Sequence, residues 1–155
     1  MIAWVRANPR PVVLIAIGVL ILGGFFAVVA PLFDTGGAPA AQIAGVLPDH
    51  VTAGSQFEVD IALDNQGDSV LAQSCVQLGI RGPLRPDYAI FANVDRETFN
   101  NGLTCGGALS GQETISIRVF LTAVSPGSAQ VSLTPVQQSK ALGSGIAGTV
   151  SVGPA

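Results

Sequence analysis

Few side chains in this sequence can do chemistry. His50 is the only histidine, Cys75 and Cys105 are the only cysteines, and Met1 is the only methionine. A hydrolytic triad needs a histidine held between a nucleophile and an orienting acid. His50 instead follows Pro48-Asp49, a turn signal, and reads as a loop residue in solvent. His50, Cys75 and Cys105 lack the spacing of a zinc site. There is no Cys-x-x-Cys-His for haem attachment, and no Gly-rich phosphate loop leads from a strand into a helix. Glu58, Asp60 and Asp64 share one strand face, with Asp68 just past the following turn. Asp60, Asp64, Asn65 and Asp68 offer oxygen ligands for a surface calcium site, but no calcium-loop spacing is met. A solvated strand face and a polar turn are therefore the preferred reading. The expectation is a non-catalytic chain with no cofactor, no metal and no small-molecule substrate.

Composition narrows the class further. Of 155 residues, 48% are hydrophobic and only 11% are charged, against roughly a quarter in an ordinary soluble domain. Lys plus Arg is 7, Asp plus Glu is 10, and the formal net charge is −3. That balance argues against nucleic acid, whose phosphates require clustered Lys and Arg. The length rules out a TIM barrel, a two-domain enzyme and a polytopic transporter.

Charge is unevenly distributed. Pro11 to Phe33 carries no ionisable side chain. Its densest part, Val12–Ala30, would span about 28 Å as a helix at ~1.5 Å per residue, enough for a hydrocarbon core of ~30 Å. Arg6 and Arg10 precede it and the first acid, Asp34, follows, which predicts residues 1–10 in the cytoplasm and the remainder outside. A cleavable signal peptide is the rival, because Ala38-Pro39-Ala40 before Ala41 has the small-residue form of a cleavage site. The apolar run exceeds a usual signal core of 7–15 residues, so residues 11–33 read as an uncleaved transmembrane helix. Gly18, Gly23, Gly24 and Ala27 would let a neighbouring helix approach closely, and the Gly23-Gly24 pair costs helix propensity that such packing would offset. Small residues are also common in membrane helices without that role.

Residues 34–42 are small and flexible and read as a linker. From residue 43 the apolar period becomes two. Phe57, Val59, Ile61 and Leu63 alternate with Glu58, Asp60, Ala62 and Asp64, and Ile115, Ile117, Val119 and Leu121 alternate with Ser116, Arg118 and Phe120. Such runs are strands with one buried face. About seven strands are predicted: 42–47, 56–64, 74–80, 88–94, 113–122, 128–134 and 146–152. Their number, with turn signals at Asn65-Gln66-Gly67-Asp68, Ser125-Pro126-Gly127 and Gly143-Ser144-Gly145, fits an all-β, immunoglobulin-like antiparallel sandwich over 43–155.

Both cysteines fall outside the membrane, where oxidation favours pairing. A Cys75–Cys105 bond would tie the third strand to the loop before the 113–122 strand and contribute roughly 3–4 kcal/mol at most. The alternative is two free buried thiols. Between Arg81 and Gly111 alternation fades. Arg81, Arg85 and Arg96 occur there with Tyr88, Phe91 and Phe99. Long loops on rigid sandwiches often bind, and Arg, Tyr and Phe favour interface cores, so these six are candidate partner-binding residues. A crossover with its aromatics packed inward is the competing reading.

Thr52–Asn65 (TAGSQFEVDIALDN), Gly111–Pro135 and Gly148–Val152 resemble cohesin-like and other immunoglobulin-like sandwich modules of bacterial surface proteins. The resemblance implies a sandwich that binds protein or glycan. Together these readings predict a single-pass accessory subunit of a larger membrane complex. Its partners would be the bilayer and integral membrane proteins, with the sandwich on the extracytoplasmic side. A membrane-anchored adhesion or glycan-binding module is the alternative, and exposed aromatic platforms at Tyr88 or Phe91 would favour it.

Overall fold

A computed structural model describes residues 39–155, Asn93 excepted. The apolar segment 11–33, with Gly18, Gly23, Gly24 and Ala27, lies outside the described residues, as do residues 1–10. Among the described residues no helix is long and apolar enough to cross a membrane.

The described chain is all-β and forms two stacked sheets. Eleven strands occur in order: β1 (Ala41–Gly45), β2 (His50–Thr52), β3 (Gln56–Asn65), β4 (Cys75–Arg81), β5 (Leu84–Phe91), β6 (Arg96–Thr98), β7 (Leu103–Cys105), β8 (Thr114–Ala123), β9 (Gly127–Gln137), β10 (Lys140–Ala141) and β11 (Ile146–Gly153). Each of the seven expected runs lies on a strand. The four additions, β2, β6, β7 and β10, are two or three residues long, too short to show a period. One sheet has the order β1-β3-β8-β5-β6 and the other β2-β11-β9-β4-β7, with β10 on β9.

Two expectations are corrected. The first strand begins at Ala41, inside the stretch read as linker, because Ala41 pairs with Asn65 and is only 2% exposed. The sandwich is also not wholly antiparallel. After β1 the chain crosses to the second sheet, where β2 runs parallel to β11.

Alternation decides which side chains meet. Val59, Ile61 and Leu63 of β3 and Ile115, Ile117, Val119 and Leu121 of β8 point inward, against Val76 and Leu78 of β4 and Val131 and Leu133 of β9. Leu121 and Ile117 are fully buried, and truncating either to Ala would cost roughly 2–5 kcal/mol by the usual range for core Leu and Ile. The free side of β1 is covered as well. The N–H groups of Ala41 and Ile43 donate to the carbonyls of Leu142 and Ser144, at 3.3 and 2.9 Å. That leaves less unpaired edge for another strand to add to.

One end of the sandwich is closed by loops. Leu71 and Leu109 exchange two backbone hydrogen bonds of 2.9 Å and are both buried. Asn65, itself fully buried, holds these loops. Its Nδ2 donates to the carbonyls of Ser69 and Ser110 at 2.8 Å and of Leu109 at 3.3 Å, while its Oδ1 accepts from the Gly67 N–H at 3.2 Å. This placement removes Asn65 from the set of possible calcium ligands.

The disulfide is formed, and its setting differs from the expectation. Cys105 is not in a loop but in edge strand β7, directly opposite Cys75 of β4. The Gly106 N–H donates to the Ser74 carbonyl at 3.0 Å, so the cysteines occupy a non-hydrogen-bonded pair, where facing residues approach most closely. The bridge therefore staples two strands within one sheet.

Three stability tests follow. Asn65→Ala would strand buried carbonyls and should cost roughly 2–4 kcal/mol in urea melts. Thr104 Oγ1 is the contrasting case, buried with no hydrogen-bond partner among the described residues, so Thr104→Val should be neutral or stabilising in the same melts. Replacing both cysteines by Ser should remove up to about 3–4 kcal/mol for a bridge separation of 30 residues, and amide exchange at Leu103–Cys105 should speed up more than in the other sheet.

Candidate functional site

The site begins with a break in a strand. Pro86 has no N–H to give the β5–β8 ladder, and the register shifts between Pro86 and Tyr88. The shift leaves Asp87 and Tyr88 both directed at residues on the outer face of the five-stranded sheet, although they are sequence neighbours.

Asp87 accepts from three sides. Thr122 Oγ1 of β8 donates at 2.6 Å, Gln56 Nε2 of β3 at 2.8 Å and Arg85 of β5 at 3.2 Å. Its side chain is 14% exposed. Burial alone would raise its pKa, but the donated hydrogen bonds from Thr122 and Gln56, with the charge and hydrogen bond of Arg85, outweigh it and hold the carboxyl below its usual value. One carboxylate thus ties together β3, β8 and β5.

One register step along, Tyr88 of β5 lies opposite Phe120 of β8 and Thr98 of β6. The Tyr88 and Phe120 rings stack with centroids 4.5 Å apart and planes 20° apart. The Arg96 guanidinium of β6 lies 3.6 Å from the Tyr88 ring centroid. Because β5 lies between β8 and β6, the two neighbours flank Tyr88 from opposite sides, and both of its ring faces are covered. In the next row, Ile90 lies between Arg118 and Arg96, and Arg118 also approaches Glu58 of β3 at 3.9 Å. That exposed pair is worth at most about 1 kcal/mol. The result is a short Arg–aromatic row beside an acidic lane of Glu58, Asp60 and Asp64 on β3.

The six candidate partner-binding residues separate. Arg85, Tyr88 and Arg96 come together on this face. Arg81 lies on the other sheet, opposite Gln130. Phe91 is a correction: it is 1% exposed and belongs to the core. A Cβ at Gly106 would collide with the Phe91 ring, so Gly106 makes room for it. Phe99 is half-buried and packed on the core. The expected long loop is also corrected, since 81–111 contains β5, β6 and β7. Asn101-Gly102, with φ of 51° and 78°, makes the tight turn that pairs Asn100 with Leu103.

Phe120, Arg118, Ile90 and Asp87 were not among the expected site residues. Phe120 left a signal, as an aromatic at a polar position of a strictly alternating strand. The bulge that turns Asp87 outward had only Pro86 as its mark.

Other chemistry-bearing groups are spread over the surface. His50 Nδ1 donates to the Asp49 carbonyl at 2.6 Å on an exposed edge. Asp64 accepts from Thr114 Oγ1 at 3.0 Å and Asp68 from Gln112 Nε2 at 3.3 Å. Among the described residues, no three His, Cys, Asp or Glu side chains are grouped to hold a metal. A shallow depression of about 570 Å³ lies on the second sheet between Gly79, Arg81, Gln130, Ser132, Ala147 and Thr149.

No protein-family model matches the chain. No curated protein matches it either. Solved structures do match. A cohesin module from a Clostridium perfringens family 33 glycoside hydrolase aligns with TM-score 0.54 at 12% identity, over 76% of this chain and 99% of that one. A structure described as AvmM, which catalyses macrocyclisation in alchivemycin A biosynthesis, aligns with TM-score 0.50 at 14% identity, over 75% and 89%. A β-glucosidase from Listeria innocua aligns with TM-score 0.51 at 15% identity, over 74% of this chain but only 16% of the enzyme. At such identities these likenesses establish the fold alone, an immunoglobulin-like sandwich of the kind found in cohesin modules. A fold shared by a cohesin module and by enzymes does not by itself assign a function.

The Asp87 knot generates a pH prediction. Its folded pKa is lowered, so its contribution is present above the unfolded carboxyl pKa of about 4 and is lost as pH falls through the folded value. Asp87→Asn should lower stability by about 1–2 kcal/mol at pH 7. In denaturant melts run from pH 7 to pH 2, the gap between the variant and the native chain should shrink below about pH 4.

Proposed function

We propose that this chain is a non-catalytic, single-pass accessory subunit of a membrane protein complex, and that its sandwich makes protein contacts through the outer face of the five-stranded sheet. The observation that carries this reading is the Arg96–Tyr88–Phe120 stack on the outer face of the five-stranded sheet. Arg and Tyr are the residues that most often supply binding energy at protein interfaces. Here their rotamers are already restrained by stacking, which lowers the entropy lost on docking. The apolar run at 11–33 and the charge order around it support the anchor, with the N-terminus cytoplasmic and the sandwich extracytoplasmic. The bilayer and integral membrane proteins are the partners proposed.

A glycan-binding module is supported less well. Sugar recognition by stacking needs an open aromatic face. Phe91 is in the core, and both faces of Tyr88 are occupied.

The test is purification of the tagged full chain from its native membrane in mild detergent. Stoichiometric integral membrane proteins should accompany it, and Tyr88→Ala/Phe120→Ala should reduce their yield at least several-fold while the chain stays folded by circular dichroism. Recovery of a lone chain that binds polysaccharide would replace the subunit reading with the adhesion one.

A further inference from the structure

We infer that the occupant of the five-stranded sheet's outer face is a second copy of this chain, seated face to face. This inference rests on the reading of that face as a contact surface and names its partner.

Charge placement is the main argument. The face carries both signs: acids on β3 with Arg118 beside them on β8, Arg85 beside Asp87 on β5, and Arg96 on β6. Glu58, Asp60 and Asp64 form the acidic lane on β3, and Arg96 of β6 lies three strands away across β8 and β5. Arg96 rests on the Tyr88 ring and, among the described residues, has no ion-pair partner, and neither does Asp60. A partner surface of one uniform sign would meet attraction in one lane and repulsion in the other. A surface with both signs in mirrored order avoids this, and the chain itself provides such a surface.

The register makes the match specific. Glu58, Phe120, Tyr88 and Thr98 lie in one row; Asp60, Arg118, Ile90 and Arg96 lie in the next. A two-fold axis running along the strands, midway between β8 and β5, reverses the order of strands but keeps each row in place. It sets β3 over β6 and β8 over β5 of the other copy. Asp60 then faces Arg96 of the partner subunit, and Phe120 faces Tyr88 of the partner subunit. Each contact occurs twice, as in any isologous pair. Stacking sheets about 10 Å apart suits side chains of this size.

The opposed area is modest. Under this axis β3 and β8 of one copy lie over β6 and β5 of the other while β1 lies outside, so at about 4.8 Å spacing and ~3.3 Å per residue the overlap is on the order of 400 Å² per copy. Standard interfaces take about 800 Å² per partner, so a weak dimer is expected. Phe120, Arg118 and Tyr88 lie on the two central strands, and Arg96 and the acids on the flanking ones, so the aromatic contacts are central and the Asp60–Arg96 contacts lie at the rim.

The test uses the full chain in mild detergent, followed by analytical ultracentrifugation at about 50 mM and about 500 mM salt. A dimer is expected, weaker at the higher salt because the lanes are solvent-accessible. Asp60→Arg or Arg96→Asp alone places like charges opposite each other twice and should weaken dimerisation at least ten-fold. The double variant Asp60→Arg/Arg96→Asp should return to within about three-fold of the native chain. Circular dichroism and thermal melts check that each variant folds. A monomer at all concentrations, or a dimer unaffected by either single variant, overturns the inference. If the native chain stays monomeric but Arg96→Asp abolishes co-purification of a different membrane protein, the contact-surface reading stands and the second copy falls. If Arg96→Asp changes neither self-association nor the co-purifying proteins, both fall.

Discussion

Every feature of the described chain depends on strand parity. In a sandwich, each strand must give alternate side chains to a shared apolar interior, because among the described residues only the other sheet is present to cover that face. Once Val59, Ile61 and Leu63 are committed inward, Glu58, Asp60 and Asp64 are committed outward. The same holds for Ser116, Arg118 and Phe120 against Ile117, Val119 and Leu121. The outer surface is thus not an independent design. A slip of one residue in any central strand would bury its charges and expose its core.

Where parity is broken, the break has a cause and a consequence. Pro86 lacks the N–H that the ladder needs, and the resulting shift turns Asp87 toward Gln56 and Thr122. A carboxylate with three donors then fastens the irregular strand to its neighbours. Beside it, Tyr88 is fixed between Phe120 and Arg96. A local fault in pairing therefore coincides with a group of surface side chains held by stacking and hydrogen bonds. The end of the sandwich is managed differently. There the backbone of two loops turns inward, and Asn65 supplies the donors that their carbonyls require.

The likeness to cohesin modules and to a β-glucosidase domain fits this physics. Alternating apolar residues of many kinds satisfy the same interior, so the architecture tolerates identities of 12–15%. The core fixes which positions face outward but not which residues fill them. Function has to be argued there, from the Arg–aromatic row and the acidic lane, rather than from the fold.

Period-two alternation in the sequence marked seven strands, the buried face of each, and the all-β class. The anchor reading likewise came from composition, because membrane insertion depends on local apolarity. The cysteine count and the expected compartment favoured a bridge, which needs no knowledge of register. Tertiary structure decided the rest. Which strands neighbour one another determines that Arg96 meets Tyr88, that Phe120 meets Tyr88, and that Cys105 lies opposite Cys75. Those are contacts between strands far apart in the chain, and no local period encodes them. The strands β6 and β7 are too short to carry a period, and the Asn101-Gly102 turn between them was not among the expected turn signals. Phe91 shows the limit most plainly. Its residue type suits an interface and a core equally, and only the packing of β5 against β8 and the space left by Gly106 settle that it lies inside.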